Sequence, residues 1–190
     1  MNRKSFLRSL PILGITSGAT LIGCSTGAGV GSNSETELTG DNLVLNQAAE
    51  REAIAIQTYN AAADSGIITD QTLLNRAGDY KNHHIEHLEL FNDLLIQADG
   101  DSVSVNDFGP DQRINDVSSE EEAILLAMQL EMEAANSYFT SSIRDLQGPN
   151  AKLVMGSIFP IEVAHFVSLK EALGRNPAVN SAVFTSLNNE

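Results

Sequence analysis

Two short runs carry residues of metal-binding type at helical spacing: His84-Ile85-Glu86-His87 and Glu162-Val163-Ala164-His165. Residues three apart share a helix face, so His84 and His87 point one way, as do Glu162 and His165. The stripe through Ala77 and Tyr80 runs on to His84, His87 and Phe91. A second stripe reads Met155, Ile158, Glu162, His165, Leu169. Two further acids sit in apolar surroundings. Glu52 has Leu45 seven residues before it, Tyr59 seven after, and Ala48, Ala49, Ala55 and Ile56 three or four away. Glu131 is flanked likewise by Ile124, Ala127, Met128, Ala134, Ala135 and Tyr138. Glu50, His83, Glu86 and Glu133 fall off these stripes and stay outside the set. A buried carboxylate costs several kcal/mol unless it is paired or bound to a cation. Taken singly, an inward histidine is more often a hydrogen-bonded core residue. Three acids and three histidines on facing stripes point instead to a divalent ion held by Glu52, His84, His87, Glu131, Glu162 and His165. Tyr59 and Tyr138 continue the same stripes as the core layer behind them.

The pattern occurs twice. Tyr follows Glu by seven residues in both halves, and Glu52 to His87 nearly equals Glu131 to His165 in length. In that alignment His84 corresponds to Glu162. The chain is an internal repeat of a helix pair.

Four helices must position these residues. The periodicity predicts the first from Asp41, with Gly40-Asp41 as its cap, to about Ala63. The second runs from Thr69-Asp70 to about Ala98 and is closed by Gly100. The third opens at Ser118 or Ser119, with Glu120, Glu121 and Glu122 in its first turn, and runs to about Leu146. The fourth spans about Asn150 to Leu173. Pro160 sits inside it and is expected to kink it before Glu162. Short loops join helices one and two, and three and four, which makes each pair antiparallel. Between two and three lies the polar stretch GDSVSVNDFGPDQRINDV, long enough to travel the length of a bundle.

Glu52, Glu131 and Glu162-Val163-Ala164-His165, with His87 on helix two, resemble the ferritin-like superfamily, whose members carry a Glu on helices one and three and Glu-x-x-His on helices two and four. The resemblance covers about residues 41–185. It implies an all-α, ferritin-like four-helix bundle with one long crossover between helices two and three, and an iron or manganese site of one or two ions. His84 departs from it, standing where the superfamily has Glu. Three carboxylates leave an excess positive charge on two divalent ions, and a bridging carboxylate is lost. The closing run AHFVSLKEALGRNPAVNSAVF, with the exported character, is similar to the group that includes desiccation-related proteins.

The first forty residues read as an address and a tether. Arg3, Lys4 and Arg8 precede an apolar stretch from Leu10 to Gly23, too short and too broken by Gly and Ser to span a bilayer. Leu21-Ile22-Gly23-Cys24 resembles a bacterial lipoprotein cleavage box, which implies a signal peptide over 1–23 and lipid on Cys24, the sole cysteine. NRKSFLR resembles a twin-arginine export motif with Lys4 in place of one Arg. Residues 24–40 are a flexible tether and 186–190 a tail. The expected location is the cell envelope, on the outer membrane or facing the periplasm.

Charge narrows the function. Against 25 acids stand 11 Lys and Arg, a net charge of -14, the wrong sign for nucleic acid. One cysteine excludes an internal disulfide and a cysteine-rich zinc cluster. Two readings remain: redox chemistry at the metal, meaning iron oxidation or the handling of oxygen or peroxide as a small-molecule oxidant, and a non-catalytic, protective or structural lipoprotein. An iron-storage cage fits poorly, because a lipid on every subunit would crowd a closed shell.

Overall fold

A computed structural model describes residues 40–176. The expected signal peptide, Cys24, nearly all of the tether and the tail lie outside the described residues. Within them are four α-helices and no strand: α1 (Gly40–Asp64), α2 (Gln71–Gln97), α3 (Glu120–Thr140) and α4 (Pro149–Ala172). α1 pairs with α2 and α3 with α4, and most backbone proximity lies inside each hairpin. The all-α bundle with one long crossover agrees with the sequence reading.

Each helix start follows from local chemistry. Asp70 accepts from Thr72 N and Leu73 N at 2.7 and 3.2 Å, opening α2. Ser119 accepts from Glu122 N, while Glu122 reaches back to Ser118 N, opening α3. Asp41 does not cap its own helix as expected. Its carboxylate instead accepts from Gln147 N and Gly148 N, at 2.7 and 2.6 Å, at the start of α4. Glu120 repeats the device: it accepts from Thr69 N and Asp70 N, at 2.8 and 3.1 Å, at the start of α2. The first acid of each hairpin thus closes the loop of the other hairpin.

α3 ends sooner than the apolar pattern suggested. Ser141–Asp145 forms a wider π turn, closed by Leu146 N to Ser141 O. The wide turn brings Leu146 inward, where it is fully buried. At the end of α2 it is Asp99, rather than Gly100, that takes the left-handed conformation, at φ 58°. Gly100 then bonds back to Leu95 O. α4 runs on through Pro160. Pro160 and Gly156 are both exposed, so the Gly156 carbonyl that Pro160 cannot serve lies in reach of water. By length and composition α4 is apolar enough to cross a membrane. Here it packs along α3 and turns Glu162 and His165 inward.

The crossover is strapped down at several points. Asn92 clamps Val103 through both its N–H and its C=O. Gln57 and Thr58 of α1 hold Val105 O and Asp111 N, and Arg113 forks onto Glu133 of α3. Two apolar layers fill the bundle. Tyr59, Leu73, Tyr80, Ile124, Met128 and Leu169 pack at one end. Leu45, Phe91, Leu95, Tyr138, Leu146 and Met155 are buried toward the other.

The reciprocal caps generate a test. Asp41→Ala and Glu120→Ala should each cost about 1 kcal/mol, read as a lower urea midpoint at an unchanged slope. The double variant should lose the sum, since the two sites lie at opposite ends of the bundle.

Candidate metal centre

Between those apolar layers, all four helices turn polar residues inward at one level. Glu52, His84, His87, Glu131, Glu162 and His165 are each 3% exposed or less. The structure brings together all six residues singled out from the sequence. They form two overlapping groups in which the ligand atoms lie within 4.8 Å of one another: Glu52, His84, His87 and Glu162, then His84, Glu131, Glu162 and His165.

Glu162 and His84 belong to both groups, and each spans the halves. Glu162 Oε1 is 2.9 Å from His87 Nδ1, and its Oε2 is 3.2 Å from His165 Nδ1. His84 Nδ1 is 2.7 Å from Glu52 Oε2, while Nε2 is 3.2 Å from Glu131 Oε1. A histidine at this place implies the loss of a bridging carboxylate. Its ring does face both halves, one nitrogen to each. A neutral imidazole has a single lone-pair nitrogen, so it can ligate on one side only while it donates a hydrogen bond on the other.

The layer behind is reciprocal too. Tyr59 of α1 donates to Glu131 Oε1 of α3, and Tyr138 of α3 donates to Glu52 Oε1 of α1, both at 2.5 Å. Burial first, and then the facing carboxylate, push both phenols well above their ordinary range. They therefore remain protonated donors that fix the rotation of each carboxylate.

Without an ion the cluster must balance its own charge. Burial would raise Glu52, but the nearby charges of His84 and His87 and the hydrogen bond with His84 overcome it and hold the carboxyl at about 2. Glu131 is likewise drawn well below its usual range against burial, by His84 and His165. Glu162 moves the other way. Burial raises it, and repulsion from Glu52 adds to the rise. Burial alone would lower the histidines, yet the surrounding carboxylates raise His84 well above its normal value, His87 to about 9, and His165 as well.

One contact does not fit a purely proton-balanced core. His87 Nδ1 and Glu162 Oε1 are close, but they are not aligned for a hydrogen bond, and neither has any hydrogen-bond partner. Two buried polar atoms 2.9 Å apart that do not bond each other are spaced as neighbouring ligands of one ion are. The residues present therefore fit a divalent cation.

A family model for the ferritin-like domain matches residues 40–175. The chain belongs to the ferritin-like domain family. No curated protein and no solved structure matches it. The matched span takes in all four helices and all six clustered residues of this ferritin-like domain.

One residue off the inward stripes also reaches the cluster. His83 lies on the exposed side of α2, as its position implied, yet its Nδ1 reaches His165 Nε2 at 2.8 Å. The only signal in the sequence was a third histidine beside the motif. Glu86 is exposed and Glu133 is taken by Arg113, so both stand outside the cluster.

The charge balance sets the pH response of chelator-treated protein. Glu52 is lowered from 4.5 to about 2, so its contribution is present above pH 4.5 and is lost as pH falls toward 2. His87 is raised from 6.5 to about 9, so its contribution, on the order of 3 kcal/mol, is present below pH 6.5 and is lost as pH rises through 9. Thermal midpoints in EDTA should therefore peak between pH 4.5 and 6.5 and decline on both sides. A flat profile from pH 6.5 to 9 would contradict this charge assignment.

Proposed function

We propose that this ferritin-like protein binds a redox-active divalent metal in its bundle core and is anchored to the cell envelope. The observation that carries the metal reading is the unpartnered His87–Glu162 contact inside a fully buried set of three carboxylates and three imidazoles. Carboxylate and imidazole donors suit iron or manganese, and such an ion supplies one-electron chemistry when bound. The chain's own part is positioning and shielding. Tyr59 and Tyr138 orient Glu131 and Glu52, and burial keeps bulk water away from all six side chains.

The shared residues limit how the site is filled. His84 could ligate toward one half only, so one ion would find four protein ligands and a second would find three. That inequality supports an asymmetric pair, or a single ion, rather than two equivalent ones. An apolar cavity of about 40 Å³, lined by Tyr59, Ile68, Ala77, Ile124 and Leu169, adjoins the layer behind the site.

A second reading, a non-catalytic protective or structural bundle, has its own support. His84 lies between Glu52 and Glu131, and three imidazolium ions can neutralise three carboxylates. Metal analysis separates the two readings. Protein made in its own host should carry one or two iron or manganese ions per chain, with a spectral change on exposure to oxygen. Glu131→Gln preserves an acceptor for Tyr59 but should lose most of the metal. No tightly held metal after reconstitution would leave the scaffold reading.

The envelope anchor rests on Leu21-Ile22-Gly23-Cys24 and the tether that follows, in the manner of the exported ferritin-like group. Cys24→Ser should move the protein from the membrane fraction to the soluble exported fraction. Continued membrane association of that variant would count against lipid on Cys24.

A further inference from the structure

We infer that His83 is a positioning residue that makes the Glu131–Glu162–His165 half of the centre the tighter metal site; this rests on the metal-binding reading above. The two imidazoles are joined by a 2.8 Å contact between His83 Nδ1 and His165 Nε2. Their planes differ by 6° and their centroids are 5.1 Å apart, the separation expected when two rings lie in one plane with their nitrogens facing. That is the geometry of an in-plane hydrogen bond rather than a face-to-face stack. His165 Nδ1 points the other way, to Glu131 Oε2 at 3.1 Å and Glu162 Oε2 at 3.2 Å. When Nδ1 gives its lone pair to a cation, Nε2 must carry the ring proton, and that proton needs an acceptor. His83 Nδ1 is the acceptor. The bond fixes both the tautomer and the rotation of His165, while Tyr80 packs on the ring face at 4.2 Å.

The other half lacks this device. The shift along the chain that carries His84 onto Glu162, and His87 onto His165, carries His83 onto Ile161. No imidazole can stand at that place. His84 adds to the difference, because its shorter contact, Nδ1 to Glu52 at 2.7 Å, suits a donated hydrogen bond and leaves Nε2 free to serve the Glu131 half. The internal repeat has thus been broken at two positions, and both breaks favour the same half.

Cobalt(II) titration of the full-length protein, read by visible absorption and by competition with a chelator, tests the assignment. His83→Ala should weaken the first equivalent 10- to 100-fold and alter its absorption band. The thermal midpoint in EDTA should shift little, since His83 lies at the surface and water can take its place against His165. His83→Asn, whose carbonyl can accept the same proton, should restore most of the affinity. Wild-type binding by His83→Ala, or an Asn variant as weak as Ala, would overturn the positioning role while leaving the metal site in place. Wild-type protein that binds no cobalt would overturn both.

Discussion

Three carboxylates and three imidazoles share one water-excluded level of this bundle, and every helix register answers to that fact. Moving one helix by a single residue would swing its acid or histidine by roughly 100°, away from its partners and into a leucine layer. The cost of an uncompensated buried charge, on the order of 3–5 kcal/mol, is a large share of the net stability of a domain this size. Apolar packing alone tolerates small slips, because alanine, leucine and isoleucine are nearly interchangeable at that resolution. The polar cluster does not. It sacrifices some stability and, in return, selects one arrangement of four helices.

The same constraint explains why the hairpins interlock in pairs. Within a hairpin, a short loop and a long shared face hold two helices together. Between hairpins, the long crossover leaves both free to slide. What prevents sliding is reciprocal at three levels along the axis. Asp41 closes the loop before α4 and Glu120 closes the loop before α2. Tyr59 holds Glu131 and Tyr138 holds Glu52. At the centre, Glu162 and His84 each face both halves. Each bond has its counterpart at the matching point of the repeat.

Much of this was legible in residue spacing, and the gaps are physically instructive. A seven-residue interval from Glu to Tyr brings both to one face, so the stripes found the six buried residues and the tyrosines behind them. Spacing along one helix cannot say which helix a side chain reaches, however. That Tyr59 serves Glu131 rather than the acid on its own helix is a tertiary fact. So is the role of Asp41, whose position at a helix start suggested a local cap, while the nearer unsatisfied amides belonged to Gln147 and Gly148. The π turn at Ser141–Asp145 was hidden because apolar periodicity does not register one extra residue per turn. His83 was hidden for the opposite reason. It faces outward, and a stripe argument discards outward residues although a long side chain can lean across a groove to an inward one.

His84 stands where the resemblance to the ferritin-like superfamily implies Glu, and the geometry gives that difference a meaning beyond a missing ligand. A carboxylate at this place would bring negative charge and two equivalent oxygens, one for each half. An imidazole spans the same gap, with one nitrogen toward Glu52 and the other toward Glu131, but its two ends are never equivalent in the neutral ring. One end donates while the other accepts or ligates. Substituting His for Glu therefore keeps the bridge in space and removes its symmetry. It also lowers the negative charge of the cluster by one relative to a carboxylate at this place. In an internally repeated bundle, a carboxylate at this place would give two like sets of ligand atoms; this ring makes the two sets unlike.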